Sequence, residues 1–177
     1  MSWIYENTPD NSARFVLGVE GANPLVCFGL NPSTATPGHL DQTVTRVREV
    51  ARRNGFDGFV MLNVYPKRDT YPKDLPDAAD LGLREENKRH IVAILGERDL
   101  TVYAAWGAII ATRPYLGALL GEILELPAVA SSTWVRRGDL TRGGHPRHPL
   151  RVAYDQPFVQ FDPVAYAHSL DVEKPTL

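Results

Sequence analysis

The stretch Leu25-Val26-Cys27-Phe28-Gly29-Leu30-Asn31-Pro32-Ser33-Thr34 decides the fold. Its first six residues are almost wholly apolar, which is typical of a strand buried on both faces. An Asn-Pro pair then opens a polar loop, and the proline stiffens the turn. We therefore predict that residues 25–30 form a central strand and that Asn31 stands at its carboxyl end.

Two further apolar runs, Gly58–Val64 and Leu100–Ala105, predict strands beside the first one. Between the strands, Asp41 is a candidate N-cap for a helix that ends near Asn54, and residues 83–95 have an amphipathic helical pattern. Alternation of strands and helices predicts a mainly parallel sheet of at least four strands. The expected fold is a single α/β domain over residues 1–177, with three layers, α/β/α.

The remaining elements follow from local patterns. Residues 14–20 and 25–30 flank a Gly-Ala-Asn-Pro turn, which predicts an antiparallel hairpin. Residues 127–134 are expected to form a fourth strand, and residues 151–154 a short edge strand. Helical segments are expected within residues 108–125, with Pro114 at a start or kink, and at residues 166–170.

Composition limits the function classes. Of 177 residues, 44% are hydrophobic, the formal net charge is −2, and Cys27 is the only cysteine. An intrachain disulfide and a cysteine-built metal site are therefore excluded. No long apolar run or signal-peptide pattern occurs, so we expect a cytoplasmic protein without membrane contact. Dinucleotide binding and P-loop chemistry are disfavoured, because the glycine motifs that they require are missing.

Polar residues follow the predicted strands at four places. Asn31 follows the first strand, Asn63 ends the second, Trp106-Gly107 ends the third, and His145 and His148 lie in a late proline-rich loop. The carboxyl ends of strands in an open α/β sheet converge on one crevice, which is the usual ligand site. We therefore expect these amides and imidazoles to meet.

Each of these residues also has a structural interpretation. Asn31 can simply start a turn, Asn63 can bond the neighbouring backbone, and Tyr65 can pack on the sheet instead of stacking on a base. A metal between His145 and His148 is disfavoured, because no third ligand is evident. Among the acids, Asp41 is a helix cap or a water activator, whereas Asp69 and Asp74 are expected to be solvated.

Arginines are concentrated in two places. Between residues 136 and 151 there are five arginines and one acid, Asp139, and a second cluster lies at residues 46–53. Such patches contact phosphates or form an ordinary solvated surface. Our candidates for phosphate binding are Arg147, Arg142, Lys67 and Arg68.

Most of the chain resembles a bacterial and phage family known as domain of unknown function 1643. The resemblance covers these motifs: Asn31-Pro32-Ser33-Thr34-Ala35, Asp41-Gln42-Thr43, Asn63-Val64-Tyr65, Pro72-Lys73-Asp74-Leu75 and Pro146-Arg147-His148-Pro149-Leu150. This family brings no established activity.

A more distant resemblance is to the uracil-DNA glycosylase superfamily. Gly29-Leu30-Asn31-Pro32 looks like its first loop, Met61-Leu62-Asn63 like its base-reading strand end, and residues 145–150 like its late His-Pro loop. Trp106-Gly107 is similar to the end of its third strand. The resemblance implies a uracil-DNA glycosylase-like fold and a hydrolase that needs no cofactor.

The same resemblance assigns roles. Asn31 would position water, and His148 or His145 would stabilise the departing base. Base binding would use Asn63, Tyr65 and Ser33. This chain departs from the pattern at two points, because the first loop has no catalytic aspartate and the His-Pro loop has one additional residue. We favour His148, since His-Pro-Leu is the form shared with the closer family.

Three functions remain open at this point. The first is a nucleobase glycosylase that acts on DNA or a modified base. The second is a non-catalytic module that binds a nucleotide or nucleic acid with the same crevice, and the third is a hydrolase of free nucleotides. Residue patterns do not decide among DNA, RNA and monomers, nor do they reveal the oligomeric state.

Overall fold

The computed structural model describes residues 2–71 and 74–172, and its centre is one seven-stranded sheet. The apolar runs form its middle strands, as expected for segments buried on both faces. The strands are β1 (Trp3–Asn7), β2 (Arg14–Val19), β3 (Pro24–Gly29), β4 (Gly58–Asn63), β5 (Thr101–Ala104), β6 (Thr133–Arg137) and β7 (Phe158–Gln160).

The sheet has the order β1-β2-β4-β3-β5-β6-β7. Its four central strands, β4, β3, β5 and β6, are parallel, which confirms the predicted parallel centre. β1, β2 and β7 pair antiparallel at the two sides. The three buried runs singled out in the sequence are neighbours, with β3 between β4 and β5.

Helices cover both faces of this sheet. They are α1 (Gln42–Arg53), α2 (Leu81–Leu95), α3 (Pro114–Leu124), α4 (Pro127–Ala130) and α5 (Pro163–Val172). Apolar residues of α1 pack on one face, and those of the other four helices pack on the opposite face, which gives three layers. Within the described residues, no helix is both long and apolar enough to cross a bilayer.

Capping residues set the helix ends much as the sequence predicted. Asp41 caps α1, because its Oδ1 accepts from the Val44 N–H at 2.8 Å. Asn54 closes the helix, and Gly55 follows with a φ of +80°. Pro114 occupies the first turn of α3, where its missing N–H costs nothing.

The predicted hairpin between residues 14–20 and 25–30 is wrong. β4 lies between β2 and β3, and β2 forms its hairpin with β1, a strand that the sequence analysis missed. Glycines permit this insertion, since a Cβ on Gly18 would lie 2.3 Å from the Phe59 carbonyl oxygen and one on Gly58 would lie 2.5 Å from that of Val19.

Two later strand predictions also need correction. Residues 127–130 form the helical turn α4, which starts at a proline, and the strand β6 begins only at Thr133. Residues 149–151 form a 3-10 turn, and the edge strand β7 lies further along, at residues 158–160. The N–H groups of Arg151 and Val152 donate to the carbonyls of His148 and Pro149, so this turn uses the donors that an edge strand at 151–154 would need.

The order in which the parallel strands are added to the sheet reverses at β3. The chain passes from β3 to β4 on one side and then crosses to β5 on the other. Ligands bind in the crevice at such a switch point, beyond the carboxyl ends of the strands. The fold thus directs attention to the ends of β3, β4 and β5.

Candidate functional site

A cavity of about 540 Å³ opens at this switch point. That volume lies within the ~300–1,000 Å³ range of small-molecule sites. Its walls come from the ends of β3, β4 and β5, the first turn of α1, and the loop between β6 and β7. The polar residues that line it are Arg14, Asn31, Ser33, Asp41, Gln42, Thr43, Asn63, Asp69, Thr70 and His148.

Asn31 lies at the wall formed by the loop after β3. Its Nδ2 donates to the Asp69 carbonyl oxygen at 2.9 Å. The Asp69 N–H in turn donates to the Pro32 carbonyl oxygen at 3.1 Å, so the loops after β3 and β4 are joined. Ser33 follows in the same loop and lines the cavity as well.

Asn63 forms part of the cavity floor at the end of β4 and is only 2% exposed. Its backbone carbonyl accepts from Asn87 Nδ2 at 2.9 Å. Its own side-chain Nδ2 has no hydrogen-bond partner among the described residues. A buried donor without a partner costs free energy, and an acceptor on a ligand would satisfy it.

His148 lines the cavity from the loop between β6 and β7. Its Nδ1 accepts from the Leu150 N–H at 3.4 Å, so the neutral ring carries its proton on Nε2. Burial lowers the pKa of His148; Asp41 opposes this shift and Arg151 adds to it. The neutral ring is therefore a hydrogen-bond donor at neutral pH.

Two other candidates lie outside the cavity lining. His145 is buried, and its Nδ1 lies 2.7 Å from the hydroxyl oxygen of Tyr166 on α5. Tyr65 is fully buried, and its hydroxyl accepts from the Asp80 N–H at 3.0 Å. Of the two histidines that competed for one role, only His148 contacts the cavity.

Asp69 was expected to be solvated, and this expectation is wrong. It lines the cavity, and its Oδ2 is buried with no hydrogen-bond partner among the described residues. Burial raises the pKa of Asp69, Asp74 adds to the shift, and Lys67 opposes it. No pattern distinguishes this acid in the sequence, since only the joining of two loops brings it to the site.

The predicted phosphate-binding residues do not line this cavity. Arg147 Nε donates to the Asp139 carbonyl at 2.8 Å, and Arg142 is exposed on the loop between β6 and β7. Lys67 is half-buried, and its backbone bridges to Ala13. Arg68 donates to the Ser33 carbonyl and lines a shallower neighbouring cavity of about 350 Å³.

α1 holds the His148 loop in position. Arg46 donates from Nε to the Pro149 carbonyl at 3.2 Å and from Nη2 to the Val152 carbonyl at 2.6 Å. Gly107 packs against the same loop with a φ of +69°, and a Cβ there would lie 3.4 Å from the His148 Cβ. The backbone that carries His148 is therefore held from two sides.

Comparison with known proteins identifies a family but no activity. A family model described as "Protein of unknown function (DUF1643)" matches residues 14–150. No curated protein and no solved structure matches the chain. The matched segment runs from β2 to the His148 loop, so it contains every polar residue that lines the cavity.

Proposed function

The chain belongs to the DUF1643 family, and from the geometry of its cavity we propose that it hydrolyses the N-glycosidic bond of a nucleotide or nucleic acid. One observation carries the proposal. Asn31, Asn63 and His148 come from separate strand ends and loops, yet they line a single cavity at the switch point of the sheet. The resemblance of their local motifs to those of uracil-DNA glycosylases supports the same chemistry.

Base recognition is the proposed role of Asn63. Its unpartnered Nδ2 is a fixed donor on a buried floor, and a ring carbonyl of a nucleobase is a matching acceptor. His148 then acts on the leaving base. Its Nε2–H stabilises the negative charge that develops as the glycosidic bond breaks and its electron pair moves to the base.

Water activation is the proposed role of Asp69. The sugar becomes cationic as the base departs, and a carboxylate both stabilises that cation and accepts the proton of the attacking water. The raised pKa of Asp69 makes it a stronger base than an ordinary aspartate. Asn31, bonded to the backbone of Asp69, orients the water.

A base-release assay tests this proposal. Purified protein is incubated with normal and modified oligonucleotides and with nucleoside monophosphates, and free base is measured by mass spectrometry. Asp69→Asn should lower release by roughly 10²-fold or more, the usual contribution of a general base. Asp155→Asn makes the same chemical change at an exposed aspartate outside the cavity and should have no effect.

A second candidate function is a non-catalytic binding module that uses the same cavity. The observation that favours it is the neutral Asn31, whose amide nitrogen is already engaged by the Asp69 carbonyl. This function predicts that nucleotides bind while no base is released from any substrate. It also predicts that Asp69→Asn leaves binding intact.

A further inference from the structure

Arg14 on β2 is a buried cation at the edge of the cavity. Its side chain is 2% exposed, it is among the largest buried side chains, and it lines the cavity. Removing a guanidinium from water is costly unless an anion compensates for the lost hydration. The positive charge of Arg14 therefore needs a partner that compensates for its lost hydration.

Its contacts among the described residues leave that charge without an ion pair. Nη1 donates to the Ala35 carbonyl at 3.2 Å, whereas Nε has no partner among the described residues. Arg68 donates to the same Ala35 carbonyl, so a second guanidinium converges on this point. Burial, aided by the charge of Arg68, lowers the pKa of Arg14 to about 10.

Two acids line the same cavity, but neither forms an ion pair with Arg14 within the part of the chain that the structure describes. The charge of Asp41 stabilises the protonated form of Arg14 electrostatically, without an ion pair. The Oδ1 of Asp41 accepts a hydrogen bond from the Val44 N–H. Asp69 is bonded through its backbone to Asn31 and Pro32. An anionic ligand would supply the ion pair that Arg14 lacks among the described residues.

The surroundings of Arg14 suit a phosphate group. A guanidinium fork matches phosphate oxygens with two parallel hydrogen bonds. The first turn of the 12-residue helix α1 lines the same cavity, but the carboxylate of Asp41 already caps that helix start, so the attraction for a phosphate comes from Arg14. Ser33 and Thr43 add hydroxyl groups to the lining.

Outside the cavity, three of the arginines expected to hold a DNA backbone are bonded within the chain, whereas Arg142 is exposed. Arg137 donates to the carbonyls of Ala153, Tyr154 and Gln156, and Arg136 donates to that of Gly138. Arg147 is bonded to the backbone of its own loop. Three of the five arginines between residues 136 and 151 are thus less available to the phosphates of a polymer, which favours a monomeric ligand.

We propose that the cavity binds a free nucleoside monophosphate, with its phosphate on Arg14 and its base on Asn63. The nucleoside half of this ligand rests on the proposed function, whereas the phosphate half rests on Arg14 alone. The phosphate-bearing monomer, and not the polymer, is then the substrate class.

Calorimetric titration of the wild-type protein tests this without any mutation. The probes are the deoxynucleoside 5′-monophosphates, the corresponding deoxynucleosides, inorganic phosphate and a single-stranded oligonucleotide. At least one monophosphate should bind roughly tenfold or more tightly than its nucleoside, because charge-assisted bonds to a guanidinium are worth that much. Inorganic phosphate should compete with it.

Variants then locate the phosphate. Arg14→Gln should reduce the preference for monophosphate over nucleoside to less than about twofold, and Arg14→Lys should restore part of it. Arg98→Gln changes an exposed arginine outside the cavity and should leave the preference unchanged. Circular dichroism checks that each variant is folded, and the wild-type titration alone decides the question if Arg14→Gln is not.

The outcomes separate this proposal from the hydrolase. Equal binding of nucleoside and monophosphate, or tight binding of the oligonucleotide alone, overturns the phosphate site even if base is released. A monophosphate preference that depends on Arg14 supports the site even if no base is released. Absence of binding by every phosphate probe also overturns it.

Discussion

The side-chain amide of Asn31 donates to the backbone carbonyl of Asp69, 2.9 Å away. This bond joins the loop after β3 to the loop after β4, and it brings a carboxylate into a cavity whose first loop has none. The cavity thereby gains an acid that lies 38 positions from Asn31 in the sequence.

Asn31→Ala should loosen this junction. We expect base release to fall by roughly 10²-fold, because both the water and Asp69 lose their orientation. Amide hydrogen exchange at Asp69 should accelerate in the same variant. Asn54→Ala removes an amide whose Nδ2 donates to the Val50 carbonyl at 2.8 Å, at the end of α1 that does not line the cavity, and should change neither quantity.

His148→Gln should alter the pH dependence of stability. The folded pKa of His148 is lowered, so the unfolded chain binds more protons, and stability falls as the pH drops from about 6.5 through that lowered value. Urea denaturation between about pH 7.5 and pH 5 should show a shallower loss in the variant. An equal loss in wild type, His148→Gln and the exposed control His168→Gln would contradict this.

Asn63→Ala and Asn87→Ala should separate function from stability. Asn87→Ala removes the donor to the Asn63 carbonyl and should cost roughly 1–3 kcal/mol in the free energy of unfolding. Asn63→Ala removes an amide nitrogen that has no partner, so its cost should be smaller, while the range of accepted bases should widen. Chemical denaturation and the substrate panel measure the two effects.

Gly107→Ala should affect both stability and activity. A positive φ of +69° costs a non-glycine residue roughly 1–2 kcal/mol, and relief of this strain would shift the backbone that contacts the His148 loop, since a Cβ at Gly107 lies only 3.4 Å from the His148 Cβ. Gly55→Ala is the matched control, since its φ is +80° and a Cβ there meets open space. Both variants should lose stability, but only Gly107→Ala should also lose base release.

Residue patterns predicted the parts of the fold that depend on local chemistry. The apolar run at residues 25–30 gave the central strand, and Asp41 gave the start of α1. The predicted hairpin between β2 and β3 was wrong because the pairing of β2 with β4 depends on close backbone contact at Gly18 and Gly58. Strand propensities of single residues do not encode such contacts. β1 was missed because its residues are only half-buried and lack a buried-strand pattern.

The same division holds for the site: residues beside strand ends could be predicted from the sequence, and residues placed by tertiary packing could not. Asn31 follows β3, Asn63 ends β4 and His148 lies in the connection after β6, so the parallel topology brings them to the same end of the sheet. Asp69 and Arg14 depend on how two loops and an antiparallel strand close around the cavity. Their environment, and not their position in any motif, makes them candidates, so only coordinates reveal them.

The bonds from Arg46 to the Pro149 and Val152 carbonyls fix the gap between α1 and the His148 loop. A wall held in this way does not adapt its spacing to whatever enters. On the proposed function, a fixed opening would discriminate between one-ring and two-ring bases by their in-plane size. α1 would then take part in selectivity through Arg46 without touching the base.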